Sequence, residues 1–239
     1  MMRHLLLRIE APLVAFGGEA IDSLGVTRDF PASSMIVGLI ANALGWRRED
    51  TALHDRLQQR LVFSVRIERE PARLTDFQTA QLSKDDRGWT TTGRPEERQG
   101  GDPTYRSPHL RHRDFLCDAC LLVALRLEPV DESPTLDDIA HAFNHPSRPL
   151  FIGRKPCLPS QRLFTGWQDA PSALDAIKNA PPVTVGARPT RMRAQWPARD
   201  GTVPGDHEVL LCDERNWVSG VHGGWRPVRQ GVIEMEGTS

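Results

Sequence analysis

Lysine is almost missing from this chain of 239 residues, present only at Lys84, Lys155 and Lys178, so nearly all of its positive charge is arginine. Arginine suits bidentate phosphate contacts and stacking on bases, although a coding preference for arginine over lysine accounts for the count equally well. A surplus of one charge sign is missing too: 30 Lys and Arg face 31 Asp and Glu, a formal net charge of −1. Proteins that coat nucleic acid indiscriminately rest on excess positive charge over their whole surface, so that class is excluded and any RNA site has to be local. Cysteine is scarce, and Cys117, Cys120, Cys157 and Cys212 form no framework of spaced pairs. The first residues lack the apolar run of a signal peptide, and no stretch approaches the ~20 apolar residues of a membrane span. These absences predict a reduced, cytoplasmic protein with no membrane role.

What is present is enough apolar residue, 39%, to bury a real core. His4 to Ile9 places Leu5, Leu7 and Ile9 on one face of a strand that should end at Pro12. After the loop Phe16-Gly17-Gly18, the helical spacing of Ile36, Leu39, Ile40, Ala43 and Leu44 predicts a helix over 33–44, with Ser33 or Ser34 as its N-cap and Gly45 as its stop. A short helix from Thr51 should bury Leu53 and Leu57, and Leu61, Phe63, Val65 and Ile67 then alternate as a strand. Residues 71–113 break this pattern with charge and glycine, and form either a disordered loop or a projecting hairpin, the reading favoured here. Phe115 to Leu127 alternate as a long strand, and Thr135 caps a helix carrying Leu136, Ile139, Ala140 and Phe143.

The order β-α-β-insertion-β-α predicts an α+β fold: a ferredoxin-like or RRM-like domain over 1–146 whose sheet has helices on one face and leaves the other free for a ligand. From Pro146 regular periodicity fades, and 147–239 reads as a loop-rich part in which only 207–212 is clearly a strand.

Three places invite phosphate. Arg106 to Arg113 is the densest basic cluster. By charge alone it is a solvated loop, but Trp89 and Tyr105 add surfaces on which single-stranded RNA can stack. On a strand Arg111 and Arg113 would share one face while His112 points the other way. Gly153-Arg154-Lys155 offers a backbone approach with cations behind it, and Arg28 precedes the N-terminus of the helix that begins at Ser33 and Ser34. Cys117 and Cys120 would face opposite sides of a strand and could not share a metal, while His141 and His145 read as fraying helix-end residues. Tyr105, His109 and Lys84 could in principle run a metal-free RNA cleavage, although chance grouping in a polar loop explains them as well. No catalytic residue, metal or cofactor is assigned.

The residues resemble the CRISPR-associated Cas five family, in particular the CasD-type subunits of the type I-E Cascade complex. The resemblance rests on Ala11-Pro12-Leu13-Val14-Ala15-Phe16-Gly17, on Thr27-Arg28-Asp29-Phe30-Pro31 leading to Ser34 and Gly38-Leu39-Ile40, on Leu116-Cys117-Asp118-Ala119, and on Pro149-Leu150-Phe151-Ile152-Gly153-Arg154-Lys155. Arg215-Asn216-Trp217, Ser219-Gly220 and His222-Gly223-Gly224 extend it. It implies a repeat-associated (RAMP) fold in which 71–113 is a β-hairpin thumb, departing from some members at the tip, 85–101, and after Gly205. It also implies a non-catalytic subunit that caps the 5′ handle of the guide RNA. Such a subunit docks on a CasC backbone subunit, helps hold the large CasA subunit, and meets target DNA only through the complex. The handle contacts so implied are Phe16, Gly17, Arg28, Ser33, Ser34, Trp89, Tyr105, Arg106, His109, Arg111, His112, Arg113, Gly153, Arg154 and Lys155. Relatives in the type I-C system cut precursor RNA, so a metal-independent endoribonuclease is the alternative.

Overall fold

Leu5, Leu7 and Ile9 lie on one side of β1, Met2–Val14, in the computed structural model, which describes residues 1–18, 20–21 (backbone only), 23–81, 108–184 and 190–235. β1 outruns the expected end at Pro12. Beyond Leu7 it pairs with one strand only among the described residues, so the missing proline N–H falls at a sheet edge and breaks no ladder bond.

The spine of the sheet is β6, His109–Leu127, a strand that begins well before the expected Phe115. Its C-terminal half lies between β1 and β4, Leu61–Arg69. Its N-terminal half pairs antiparallel with β5, Ala72–Ala80, and in parallel with the short β3, Leu24–Gly25, itself paired to β2, Ala20–Ile21. Between the halves Asp118 has φ 54°, a left-handed conformation that is uncommon outside glycine and kinks the strand where β5 gives way to β4.

Helix α1 spans Ser33–Leu44 and stops, as expected, at a left-handed Gly45 with φ 82°. In α2, Thr51–Arg60, the buried stripe is His54, Leu57 and Arg60, whereas the expected core residue Leu53 is 47% exposed. Helix α3, Leu136–Asn144, starts at a capping box between Thr135 and Asp138. With β1, β4 and β6 these helices enclose a main core that includes Leu5, Ile36, Ile40, Phe63, Leu121, Leu125, Ile139 and Phe143.

Two expectations fail together. The sheet face meant to stay open is covered, and the part after Pro146, though rich in loops, holds far more than one strand. It supplies β7, Phe164–Ala170, helix α4, Ala173–Asn179, β8, Arg191–Pro197, β9, His207–Leu211, and β10, Arg226–Glu234. β7 adds to β1 and β8 to β4, so the same sheet continues through this part. Its apolar residues, among them Leu174, Ile177, Met192, Trp196 and Ile233, form a second core over Leu6, Leu122 and Ala124. Arg66 of β4 is fully buried there. It donates to the Ala180 and Pro181 carbonyls, both at 2.9 Å, just past the C-terminal end of α4, and to Glu68 at 2.7 Å. These elements escaped periodicity because they are short and polar residues interrupt them. The result is a mixed α/β, sheet-dominated fold with four helices among the described residues, none long and apolar enough to cross a membrane.

Candidate nucleic-acid interface

The chain between β9 and β10 forms a strap across the start of α1. Its anchor is Asp213, whose side chain is fully buried. Asp213 Oδ2 accepts the Ser33 N–H at 3.0 Å and its carbonyl accepts the Ser34 N–H at 3.0 Å, so α1 is capped from 180 residues away. The expected caps, Ser33 and Ser34, make no side-chain cap bond; Ala32 holds the N-cap position. Arg226 clamps the carboxylate with bonds of 3.1 and 2.6 Å and lies 4.6 Å over the Phe63 ring.

Gln58 of α2 is the second anchor. It donates to the Arg215 carbonyl at 3.1 Å and accepts the Arg215 N–H at 3.0 Å and the Trp217 indole N–H at 3.3 Å. Trp217 packs 4.5 Å from the His54 ring, which meets Trp46 edge-on. Within the strap the Gly220 N–H reaches the Asn216 carbonyl at 2.8 Å, with Gly220 at φ 78° to close the turn.

Between this strap, α1 and the loops after β1 and α3 lies a groove of about 980 Å³. Arg28, Arg48, Arg148, Arg154 and Arg215 line it together with His222, Trp46, Phe151, Trp217 and Trp225; among the described residues its one lining carboxylate is the clamped Asp213. Several guanidiniums are held in place by backbone. Arg148 donates to the Trp46 and Gly45 carbonyls at 2.7 and 2.8 Å, Arg154 to Asp114 and Gly25 at 2.9 Å each, and Arg28 to Cys212 at 3.2 Å.

The titrating groups report the resulting field. Burial, then Arg215 and Arg28, hold the His222 imidazole below its ordinary value. Burial followed by Arg48 lowers Arg215, and burial followed by Arg113 lowers Arg154. Such a groove favours an anion, and Trp225, 68% exposed, presents a ring for stacking.

The groove gathers six of the sequence-derived contacts: Phe16, Gly17, Arg28, Ser34, Gly153 and Arg154. Their roles differ from expectation. Phe16 is 1% exposed and belongs to the core. Ser33 is buried with its N–H taken by Asp213, so no phosphate reaches that helix end. Ser34 Oγ instead lies 3.2 Å from His222 Nε2. Gly153 serves a close backbone crossing, because a Cβ there would sit 1.7 Å from the Ala15 carbonyl oxygen. Lys155 is exposed beside it.

The β6 cluster is not in the groove. His109 is exposed, Arg111 donates to the Leu110 carbonyl at 3.1 Å, and His112 packs 5.3 Å from Phe77. Arg113 alone adjoins the groove, close against Gly25 beside Arg154. Trp89, Tyr105, Arg106 and Lys84 lie outside the described residues. Burial pushes the Cys120 thiol up to about 11, and no group of three His, Cys, Asp or Glu able to hold a metal occurs among the described residues.

Sequence reasoning missed Arg48, Arg148, Asp213 and Trp225. The glycines flanking His222 were the available signal for the strap; Arg48 and Arg148 carried none.

Known proteins share this architecture. A chain of a solved CRISPR RNA-guided surveillance complex superposes with a TM-score of 0.71 at 24% identity, over 97% of this chain and 90% of that one. A second solved structure, described as a Cas protein, gives 0.63 at 23% identity over 99% and 100%. The CRISPR system Cascade subunit CasD of Escherichia coli (strain K12) is 28% identical over 190 residues, 77% of this chain and 79% of that protein. The profile described as CRISPR-associated protein (Cas_Cas5) matches residues 4–229, from the first strand into the last. The basic groove and the sheet that builds it therefore lie almost wholly within that match, and the chain belongs to the CRISPR-associated protein (Cas_Cas5) family.

Proposed function

We propose that this chain is a non-catalytic, cytoplasmic RNA-binding subunit of a Cascade surveillance complex, and that its groove grips the 5′ handle of the guide RNA. The observation that carries the reading is convergence. Five arginines from four stretches of chain, at 28, 48, 148 with 154, and 215, meet aromatic rings around one groove in which Asp213, the one lining carboxylate among the described residues, is already paired. That is the chemistry of single-strand binding: cations for the phosphates and rings for the bases. The similarity to a Cascade subunit supports reading that RNA as the guide. In this reading the β5–β6 hairpin is the thumb, with Arg111 and Arg113 at its base, and the thumb and strap meet the CasC-type backbone and CasA-type large subunits. Target DNA is met through the complex.

Binding rather than cutting is favoured because metal-free cleavage needs an acid and a base in reach of the phosphate. Asp213 is committed to Arg226 and α1, and His54 to its bond with the Asp50 carbonyl at 2.8 Å, which leaves His222 without such a partner among the described lining residues.

The test is fluorescence anisotropy of the purified chain with a labelled repeat-derived handle RNA across a salt series. At ~0.7 per phosphate contact, five arginines predict a log–log slope of about −3.5. No binding, or a slope unchanged by Arg48→Glu with Arg215→Glu, would overturn the groove. Cleaved RNA in the presence of a chelator would put the endoribonuclease reading in its place.

A further inference from the structure

A second cavity, of about 400 Å³, shares Arg28, Ala32 and Asp213 with the basic groove and opens on the side of β8 and β10. Two side-chain amides lie in it. Gln195 and Gln230 are cross-strand neighbours, and Gln230 Nε2 donates to Gln195 Oε1 at 3.0 Å. That bond uses one donor and one acceptor of the pair. The Gln195 amide nitrogen and the Gln230 amide oxygen have no other partner among the described residues, although Gln195 is only 2% exposed. If both amides are turned over, one donor and one acceptor are still left. Both atoms are open to the cavity rather than sealed from water, so the pair offers one free donor beside one free acceptor to a ligand that enters it.

The rest of the cavity says what kind of ligand. Phe30, Pro31 and Leu211 supply apolar walls, and Arg73, tied to Asp29 and to the Thr27 carbonyl, lines it as well. A flat, apolar-faced group whose edge carries a donor beside an acceptor fits this lining, and every nucleobase is such a group once its Watson–Crick edge is free. Arg28 borders both cavities, so a strand whose phosphates follow the groove passes the mouth of the second one.

We propose that this cavity is a nucleobase pocket that takes one unpaired base turned out of the bound strand and reads its edge with the Gln195–Gln230 amide pair. The proposal rests on the groove binding RNA and adds a site at which base identity, rather than backbone charge, is felt.

Abasic scanning tests it. Each nucleotide of the handle RNA is replaced in turn by an abasic one, and affinity for the full-length chain is measured by anisotropy. One position should cost about tenfold, the scale of a good base-edge contact, with its neighbours costing much less. Gln230→Leu should weaken intact RNA by a similar factor, erase the difference between intact and abasic RNA at that position, and leave the salt slope unchanged. A second measurement needs no variant: methylating the Watson–Crick ring nitrogen of that one base should reproduce the abasic loss in the unaltered protein. A flat scan, a methylated base bound as well as the natural one, or a peak that persists in the variant would overturn the pocket while leaving the groove intact. Failure of intact RNA to bind at all would overturn both.

Discussion

Two arginine-bearing regions of this chain are assembled in opposite ways. On β6, Arg111 and Arg113 follow one another along a strand whose partner β5 is exposed over most of its length, with Phe77 at 56%. In the groove no two of the five arginines are sequence neighbours, and Arg28, Arg148 and Arg154 are each pinned by backbone carbonyls. Adjacent cations on an open strand make a strong local charge with little fixed geometry. Cations brought together by the fold make a site whose geometry is set before a ligand arrives, which lowers the ordering cost of binding.

That contrast can be broken most sharply at Asp213. Asp213→Ala strands Arg226, whose side chain is only 15% exposed, without its counter-charge. Losing one partner of a buried pair costs about 3–5 kcal/mol. At about 2–4 °C per kcal/mol for a chain of this size, Tm should fall by about 10 °C. RNA binding should go with it, and a variant that melts like the parent would show that the strap is not held as described.

Next in size is the charge itself. Arg48→Glu with Arg215→Glu should weaken handle RNA about 100-fold at low salt and flatten the salt slope by about 1.4, while the melting curve stays close to the parent's. Arg111→Glu with Arg113→Glu, the same reversal on the hairpin, should cost the isolated chain about tenfold or less. The reverse ranking would make the hairpin the primary grip.

The smallest effect sharpens the comparison through pH. His222 is held low by burial and by Arg215 and Arg28. A bound phosphate offsets those arginines and raises the His222 value, so binding takes up a proton. Affinity should therefore rise as pH falls through the window between the bound and free values. The rise reaches about tenfold where the phosphate tightens the imidazole's hold on its proton by the same factor. His222→Gln should abolish that rise, measured as anisotropy over a pH series.

The sequence made β1, α1 and β4 readable because each carries an unbroken apolar period, as in Leu5, Leu7 and Ile9 or Ile36, Leu39 and Ile40. It hid the second layer, where β10 contains Gly231. A Cβ at that glycine would come 2.9 Å from Asp206 and 3.3 Å from Trp196, so close packing replaced a strand-forming side chain with none. The groove was half visible. Arg28, Ser34, Gly153 and Arg154 stood out by motif, whereas Asp213 acts on α1 across 180 residues, a relation no local pattern encodes.

The long strand β6 also has a mechanical meaning. Its 19 residues, at a rise of about 3.4 Å each, make a rod about 60 Å long. Asp118 is the fulcrum: the inner arm is locked between β1 and β4, and the outer arm carries the hairpin. A load applied to the hairpin therefore travels along one covalent backbone into the centre of the sheet. To yield, it would have to shift the register of β1 and β4 together, which would turn their core side chains to the wrong face.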